Sequence, residues 1–308
     1  MSGMVSGISN TFRQVGVATG IAGLGAILQA SVTSERRDFV QHGRGCDRAR
    51  DRVGRLGSAV CFESDSEPPI PVISGAAVSH DELVLEARDG NRFAALAALP
   101  DESASTGVVI LPDVRGLYRF YEELALRFAE RGYAAIAFDY FGRTAGVAKR
   151  DDDFEYMPHV QAVSPDEIQA DVAAAAEWLR MRTGVGKVFT VGFCMGGRHS
   201  WLAAASGHGL AGAVGFYGRP GVAQDGSPGP AQRAGEMECP VLALQAGEDA
   251  NITAEDNAAF DSALTEAGVE HEVVTYDGAP HSFFDRKQED FAAASEDAWS
   301  RVLAFLGS

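Results

Sequence analysis

Three residues far apart in the chain, Cys194, Asp249 and His281, are of the types that together perform nucleophilic acyl transfer. Cys194 stands in "VGFCMGG", where Gly192-Phe193-Cys194-Met195-Gly196 has the form Gly-x-nucleophile-x-Gly. It lies between an apolar run, "KVFTVGF" (187–193), and the start of a helical stretch. Chemistry explains both glycines: a nucleophile on a sharp strand-to-helix turn sits in strained backbone, and side chains two residues away would collide with strand and helix. The helix start adds unpaired N–H groups and a positive dipole end, which favour a thiolate and a developing oxyanion. The competing reading is a small buried cysteine in a glycine-rich turn.

Two further residues weigh against that reading. Asp249 lies just past "PVLALQAG" (240–247) and His281 just past "HEVVTYDG" (271–278). In open parallel sheets, functional groups gather at the carboxyl ends of strands, and the chain order nucleophile, acid, histidine is that of α/β-hydrolases. His281 then takes the thiol proton, while Asp249 fixes the imidazole tautomer and stabilises its charged form. Taken alone, His281 reads better as a packing or capping histidine. Glu248 is the alternative acid. His199, in the first turns of the helix after Cys194, and His159, in the 143–163 loop, read as packing or surface residues.

The elements that must position these groups follow from periodicity. "ELVLEA" (82–87) and "RFAALAAL" (92–99) flank "RDGN", a hairpin with an Asp-Gly turn. "GVVILPDV" (107–114), "YAAIAFD" (133–139), "LAGAVGFYG" (210–218) and the three runs already quoted read as strands. Between them, helical spacing appears at 118–132, at 164–184 with Ser164 as cap and Pro165 in the first turn, at 253–268 and within 288–306. Apolar strands alternating with amphipathic helices predict a mostly parallel sheet covered on both faces, in one α/β domain over residues 75–308.

Residues 1–74 read as a separate leader. The first sixty residues carry eight arginines against four acids, a net of +4, whereas the whole 308-residue chain stands at −17. An uncharged stretch at 15–32 follows Arg13, so a signal or anchor within 13–32 is one reading and a basic leader outside the working protein another. Four glycines, Thr19, Gln29 and Ser31 make that stretch a poor membrane span. The acidic balance argues against nucleic-acid partners. The four cysteines, 46, 61, 194 and 239, form no CxxC pair and suggest free thiols in a cytoplasmic setting. No histidine or cysteine spacing suggests a metal. Oligomeric state is left open.

Taken together, "GFCMGG", "GEDAN" (247–251) and "GAPHSFFDR" (278–286) resemble the dienelactone hydrolase family of α/β-hydrolases, over roughly residues 80–307. The resemblance implies an α/β-hydrolase fold and a Cys194-His281-Asp249 triad. It also implies a carboxylate contacting the resting thiol at Asp113 in "LPDVRG", and arginines that hold a substrate carboxylate at Arg143 and Arg286. The implied oxyanion donors are the N–H groups of Val114 and Met195. The chain departs from the family at two points. The best understood member has glutamate where this chain has Asp113, and Arg286 stands one residue further from His281. Independently of the resemblance, arginines at strand ends suit bidentate carboxylate binding, although each alone reads equally as a salt-bridge partner. The expected activity is hydrolysis of a carboxylic ester, an enol-lactone above all, on a small-molecule substrate without cofactor. The alternatives are a general small-ester or thioester hydrolase and a non-catalytic binding protein.

Overall fold

The computed structural model describes residues 78–308 apart from Asp152 and Gln224. The readings for 1–74, including Cys46, Cys61 and the 13–32 stretch, lie outside the described residues.

The described chain alternates strands and helices: β1 (Val78–Glu86), β2 (Arg92–Pro100), β3 (Thr106–Leu111), α1 (Arg119–Ala129), β4 (Ala134–Phe138), α2 (Gly142–Ala145), α3 (Met157–Ala162) and α4 (Pro165–Thr183). Then follow β5 (Lys187–Phe193), α5 (Met195–Ala204), β6 (Gly212–Phe216), a 3-10 turn (Ala231–Glu236), β7 (Val241–Glu248), α6 (Ala254–Ala267), β8 (His271–Pro280) and α7 (Ala292–Leu306). The eight strands form one sheet in the order β1-β2-β4-β3-β5-β6-β7-β8. β2 runs antiparallel to both its neighbours, β1 and β4. From β4 to β8 every pairing is parallel. This is the α/β-hydrolase fold.

Burial explains why the strands read as continuous apolar runs. β3, β4 and β6 are buried at every position, as a sheet covered on both faces requires. Alternate residues of β3 serve opposite layers: Val108 and Ile110 pack with Tyr121, Leu124 and Phe128 of α1 and with Val302 of α7. Val109 and Leu111 pack instead with Ile168, Val172 and Leu179 of α4. Trp201 of α5 and Phe260 and Leu264 of α6 complete the second face.

Local signals set the helix ends. The Ser164 hydroxyl accepts from the Glu167 N–H while the Glu167 carboxylate accepts from the Ser164 N–H, and Gly184 closes α4 at φ 73°. The same reciprocal cap joins Thr253 and Asp256 at the start of α6. Differences from the sequence reading are local. The 143–163 loop contains the two short helices α2 and α3, and β8 continues to Pro280. A register shift between Ala246 and Glu248 accompanies the longer β8.

Candidate active site

The turn from β5 into α5 holds Cys194 at φ 55°, ψ −112°, a backbone state that side chains rarely adopt. Its N–H donates to the Phe216 carbonyl at 3.0 Å, and its carbonyl accepts the Arg198 N–H at 3.2 Å. The strand end is thereby tied to β6 and to the first turn of α5. The flanking glycines are required by close approach. A Cβ on Gly192 would collide with the Gly196 carbonyl, and one on Gly196 with the carbonyls of Leu111 and Pro112. Either side chain would push α5 away from β5 and β3. Cys194 is half-buried and unbridged.

Among the described residues, the non-glycine positions with positive φ are Cys194, Tyr217 at 37° and Ser282 at 63°. They follow β5, follow β6 and follow His281. Residues held this way cost on the order of 1–3 kcal/mol each and mark places where packing overrides local preference.

β7 delivers Asp249 and β8 delivers His281 to the same place. The Asp249 side chain is 1% exposed, and its Oδ2 accepts from Nδ1 of His281 at 2.5 Å. Its Oδ1 accepts the Asn251 N–H at 2.9 Å, which fixes the carboxylate plane. Burial opposes ionisation of Asp249, but the bonds from His281 and Asn251 hold its carboxyl below the usual range. Burial likewise opposes charge on His281, yet hydrogen bonds to Asp249 and Cys194 raise it to about 10. The Tyr217 ring lies 4.9 Å from the imidazole, centroid to centroid. Glu248, the alternative acid, is exposed at the end of β7 and pairs in register with Pro280.

Val114 follows Asp113 in the turn after β3, and Met195 opens α5. Among the described residues no acceptor engages either backbone N–H. The close packing of Gly196 on Leu111 and Pro112 brings these two segments together.

Asp113 is 1% exposed, and both its oxygens are occupied by cations. Arg115 donates from Nε at 3.1 and 3.0 Å, from Nη2 at 2.8 Å and from its own N–H at 2.9 Å. Arg286 adds Nη2 at 3.1 Å. Arg115 also reaches Asp285 Oδ2 at 3.3 Å. Despite burial, these partners keep the Asp113 carboxyl below its ordinary range. Burial and the nearby charge of Asp113 push Asp285 the other way. The expectation placed Asp113 against the resting thiol; here its hydrogen bonds go to Arg115 and Arg286.

Arg143 was expected against a substrate carboxylate, and the structure sets it among carboxylates of the protein itself. Nη1 and Nη2 bind the two oxygens of Asp171 at 2.8 and 3.1 Å, and Nη2 also reaches Asp89 at 2.6 Å. Asp171 is fully buried in α4 and accepts from Asn91 as well, at 3.0 Å. Burial raises its carboxyl to about 6 against the pull of Arg143 and Asn91. His199 is buried in α5, and desolvation pushes it down to about 3. His159 stacks on Phe154 with ring centroids 5.1 Å apart. Sequence reading passed over Arg115, Asp285 and Tyr217. The Asp-x-Arg spacing at 113–115 was the available signal, since a carboxylate two residues earlier can accept both backbone and guanidinium. Among the described residues no cluster of His, Cys, Asp and Glu fits a metal, and no helix is long and apolar enough to cross a membrane.

The chain matches the model of the dienelactone hydrolase family over residues 93–308. An Escherichia coli (strain K12) protein named "Putative carboxymethylenebutenolidase" is 31% identical over 228 residues, covering 70% of this chain and 83% of the relative. The carboxymethylenebutenolidase of Pseudomonas putida is 28% identical over 231 residues, covering 73% and 94%. Among solved structures, a "Putative Dienelactone Hydrolase" from Klebsiella pneumoniae superposes with a TM-score of 0.67 at 26% identity, covering 75% of this chain and 99% of that one.

Proposed function

The chain belongs to the dienelactone hydrolase family, and from that premise we propose that it hydrolyses carboxylic esters, enol-lactones above all, through Cys194, His281 and Asp249. The observation that carries this reading is the short contact between His281 Nδ1 and Asp249 Oδ2, 2.5 Å, beside a cysteine in strained backbone at a helix start.

Raised in basicity to about 10, His281 takes the Cys194 thiol proton and becomes an imidazolium facing the sulfur. Cys194 Sγ attacks the acyl carbon, and the carbonyl π pair moves onto oxygen. The N–H groups of Val114 and Met195 stabilise that oxyanion. Collapse breaks the bond to the leaving oxygen, which takes the His281 proton as it departs or as the freed enolate, leaving the imidazole neutral. The neutral imidazole then removes a proton from water as it attacks the thioester, and Cys194 leaves. Asp249 keeps Nδ1 protonated throughout and stabilises the positive ring. A thiolate is expelled more readily than an alkoxide, so a cysteine at this position suits substrates whose own leaving group is good.

Intact-mass measurement after millisecond-to-second exposure to enol-lactones and activated aryl esters tests the proposal. A mass increase equal to the acyl group, mapped to Cys194 and absent from Cys194→Ala, is expected. Turnover by Cys194→Ala at the wild-type rate would overturn it.

A second reading, a broader small-ester or thioester hydrolase, is favoured by one observation: Arg143, Arg115 and Arg286 all face protein carboxylates. Aryl-ester turnover without lactone turnover distinguishes it. The proposed setting is the cytoplasm, where Cys194 stays reduced; Cys194 and Cys239 are both free thiols.

A further inference from the structure

The turn that carries the Val114 N–H is clamped at both ends by the two residues that follow β4. At its start, the Tyr140 hydroxyl donates to the Pro112 carbonyl at 2.7 Å. At its end, Asp139 Oδ1 accepts the Leu117 N–H at 3.1 Å. Within the turn, the Gly116 N–H donates to the Asp113 carbonyl at 3.1 Å, and the Arg115 N–H to Asp113 Oδ1 at 2.9 Å. The amides of Arg115, Gly116 and Leu117 are thus engaged, while that of Val114 meets no acceptor among the described residues. Tyr140 is fully buried, its ring edge-on to Phe138 and Phe141 with centroids 5.3 and 6.0 Å away. Burial, and then the charges of Asp113 and Asp139, push its hydroxyl well above the ordinary range, so at neutral pH it stays protonated and a donor. The Pro112 carbonyl it holds lies against the first turn of α5, where a Cβ on Gly196 would collide with it.

The direction of a backbone N–H is set by its own peptide plane and by the torsions joining that plane to the one before it. For Val114 the first plane is Asp113–Val114, whose carbonyl Gly116 holds. The second is Pro112–Asp113, whose buried carbonyl is reached by no backbone N–H of the described residues and is held by Tyr140. Resting on the ester-hydrolase reading above, we propose that Tyr140 is a positioning residue: its hydroxyl fixes the Pro112–Asp113 peptide and so aims the Val114 N–H at the oxyanion of the tetrahedral intermediate. A donor stabilises developing charge most when it is already aimed before the charge appears. A buried carbonyl stripped of its partner turns toward another donor, and its peptide plane turns with it.

The test separates two reactions of the same sulfur. Acylation of Cys194 by an activated aryl ester builds an oxyanion, whereas its alkylation by iodoacetamide displaces iodide and builds none. Both are followed by mass, with the adduct mapped to Cys194. Tyr140→Phe keeps the ring and removes only the hydroxyl. Its acylation rate should fall about ten- to a hundredfold, the scale of a displaced donor. Its alkylation rate should stay within about twofold at each pH, because alkylation reports the thiolate and its histidine partner. Unchanged acylation in folded Tyr140→Phe would overturn the inference. So would an equal loss of both reactions, which would place the effect at the sulfur. Loss of the fold would overturn it as well, since the hydroxyl would then be holding the scaffold. All three results leave the ester-hydrolase reading standing. Absence of acyl-Cys194 in the wild-type protein with activated aryl esters and enol-lactones would overturn that reading, and this inference with it.

Discussion

Two corners of the molecule use a carboxylate facing a cation, and they differ in what the backbone does around the pair. At the Arg143 corner, helix α2 presents the guanidinium to Asp171 of α4 and to Asp89 of the β1–β2 turn. None of these residues has positive φ. At the proposed catalytic corner, His281 meets Asp249 beside Cys194, and positive φ values fall on Cys194, Ser282 and the adjoining Tyr217. In the first corner charges hold elements together. In the second, packed elements hold charges and a sulfur where local preference would not place them. Stability and activity should therefore be separately removable.

The largest effect is expected at Cys194. Cys194→Ala should lower hydrolysis by on the order of a thousandfold or more while changing stability by less than about 1 kcal/mol, since a small side chain replaces a half-buried one. Denaturant unfolding and kcat measured together check this, and a large stability loss would break the comparison. Asp249→Asn should follow, with kcat down on the order of a hundred- to ten-thousandfold because the imidazolium loses its counter-charge. In the same variant His281 should titrate below the wild-type value of about 10, as read by histidine ring NMR.

Arg143→Ala should show the opposite pattern. It leaves Asp171 buried without its cation, a loss of about 3–5 kcal/mol by the general cost of orphaning one partner of a buried pair. KM for neutral esters should stay within about twofold, because substitutions away from the reacting groups leave transition-state contacts in place. Arg143→Lys should recover part of the stability, since an ammonium cannot bind both oxygens of Asp171 in the guanidinium's planar fork. A stable Arg143→Ala variant with a tenfold higher KM for a carboxylate-bearing lactone would instead assign Arg143 to substrate.

The contrast between the corners also explains what the sequence could disclose. Cys194 was legible because its glycines are dictated locally: Gly192 and Gly196 have no room for a Cβ. Asp249 and His281 were legible because each follows an apolar strand, and parallel strands end on the same side. The caps of α4 and α6 lie within four residues of sequence and could be read directly. Arg143 was different. Its partners lie 28 residues ahead, in the middle of a helix, and 54 residues behind, in a turn. Nothing local separates an arginine that awaits substrate from one already paired. Asp285 was hidden for a related reason, since a charged residue between Phe284 and Arg286 reads as surface until burial shows otherwise.

The smallest expected effect is on the pH dependence of stability, where the two corners should act in separate windows. Asp171 is raised from 3.8 to about 6 on folding. The folded state therefore binds its proton more tightly, and the resulting stabilisation is complete below 3.8 and is lost as pH rises through 6. His281 is raised from 6.5 to about 10. Its contribution is complete below 6.5 and is lost as pH rises through 10. Stability measured by denaturant at intervals from pH 4 to 10 should thus contain two descending components. His281→Asn should remove the component between about 6.5 and 10 and leave the lower one. Asp171→Asn should do the reverse. The upper component should be the shallower in practice, because the His281 side chain is 35% exposed and water screens its pairing, whereas Asp171 is fully buried. If His281→Asn flattened both windows, the corners would be coupled, and charge at the catalytic turn would be helping to hold the scaffold after all.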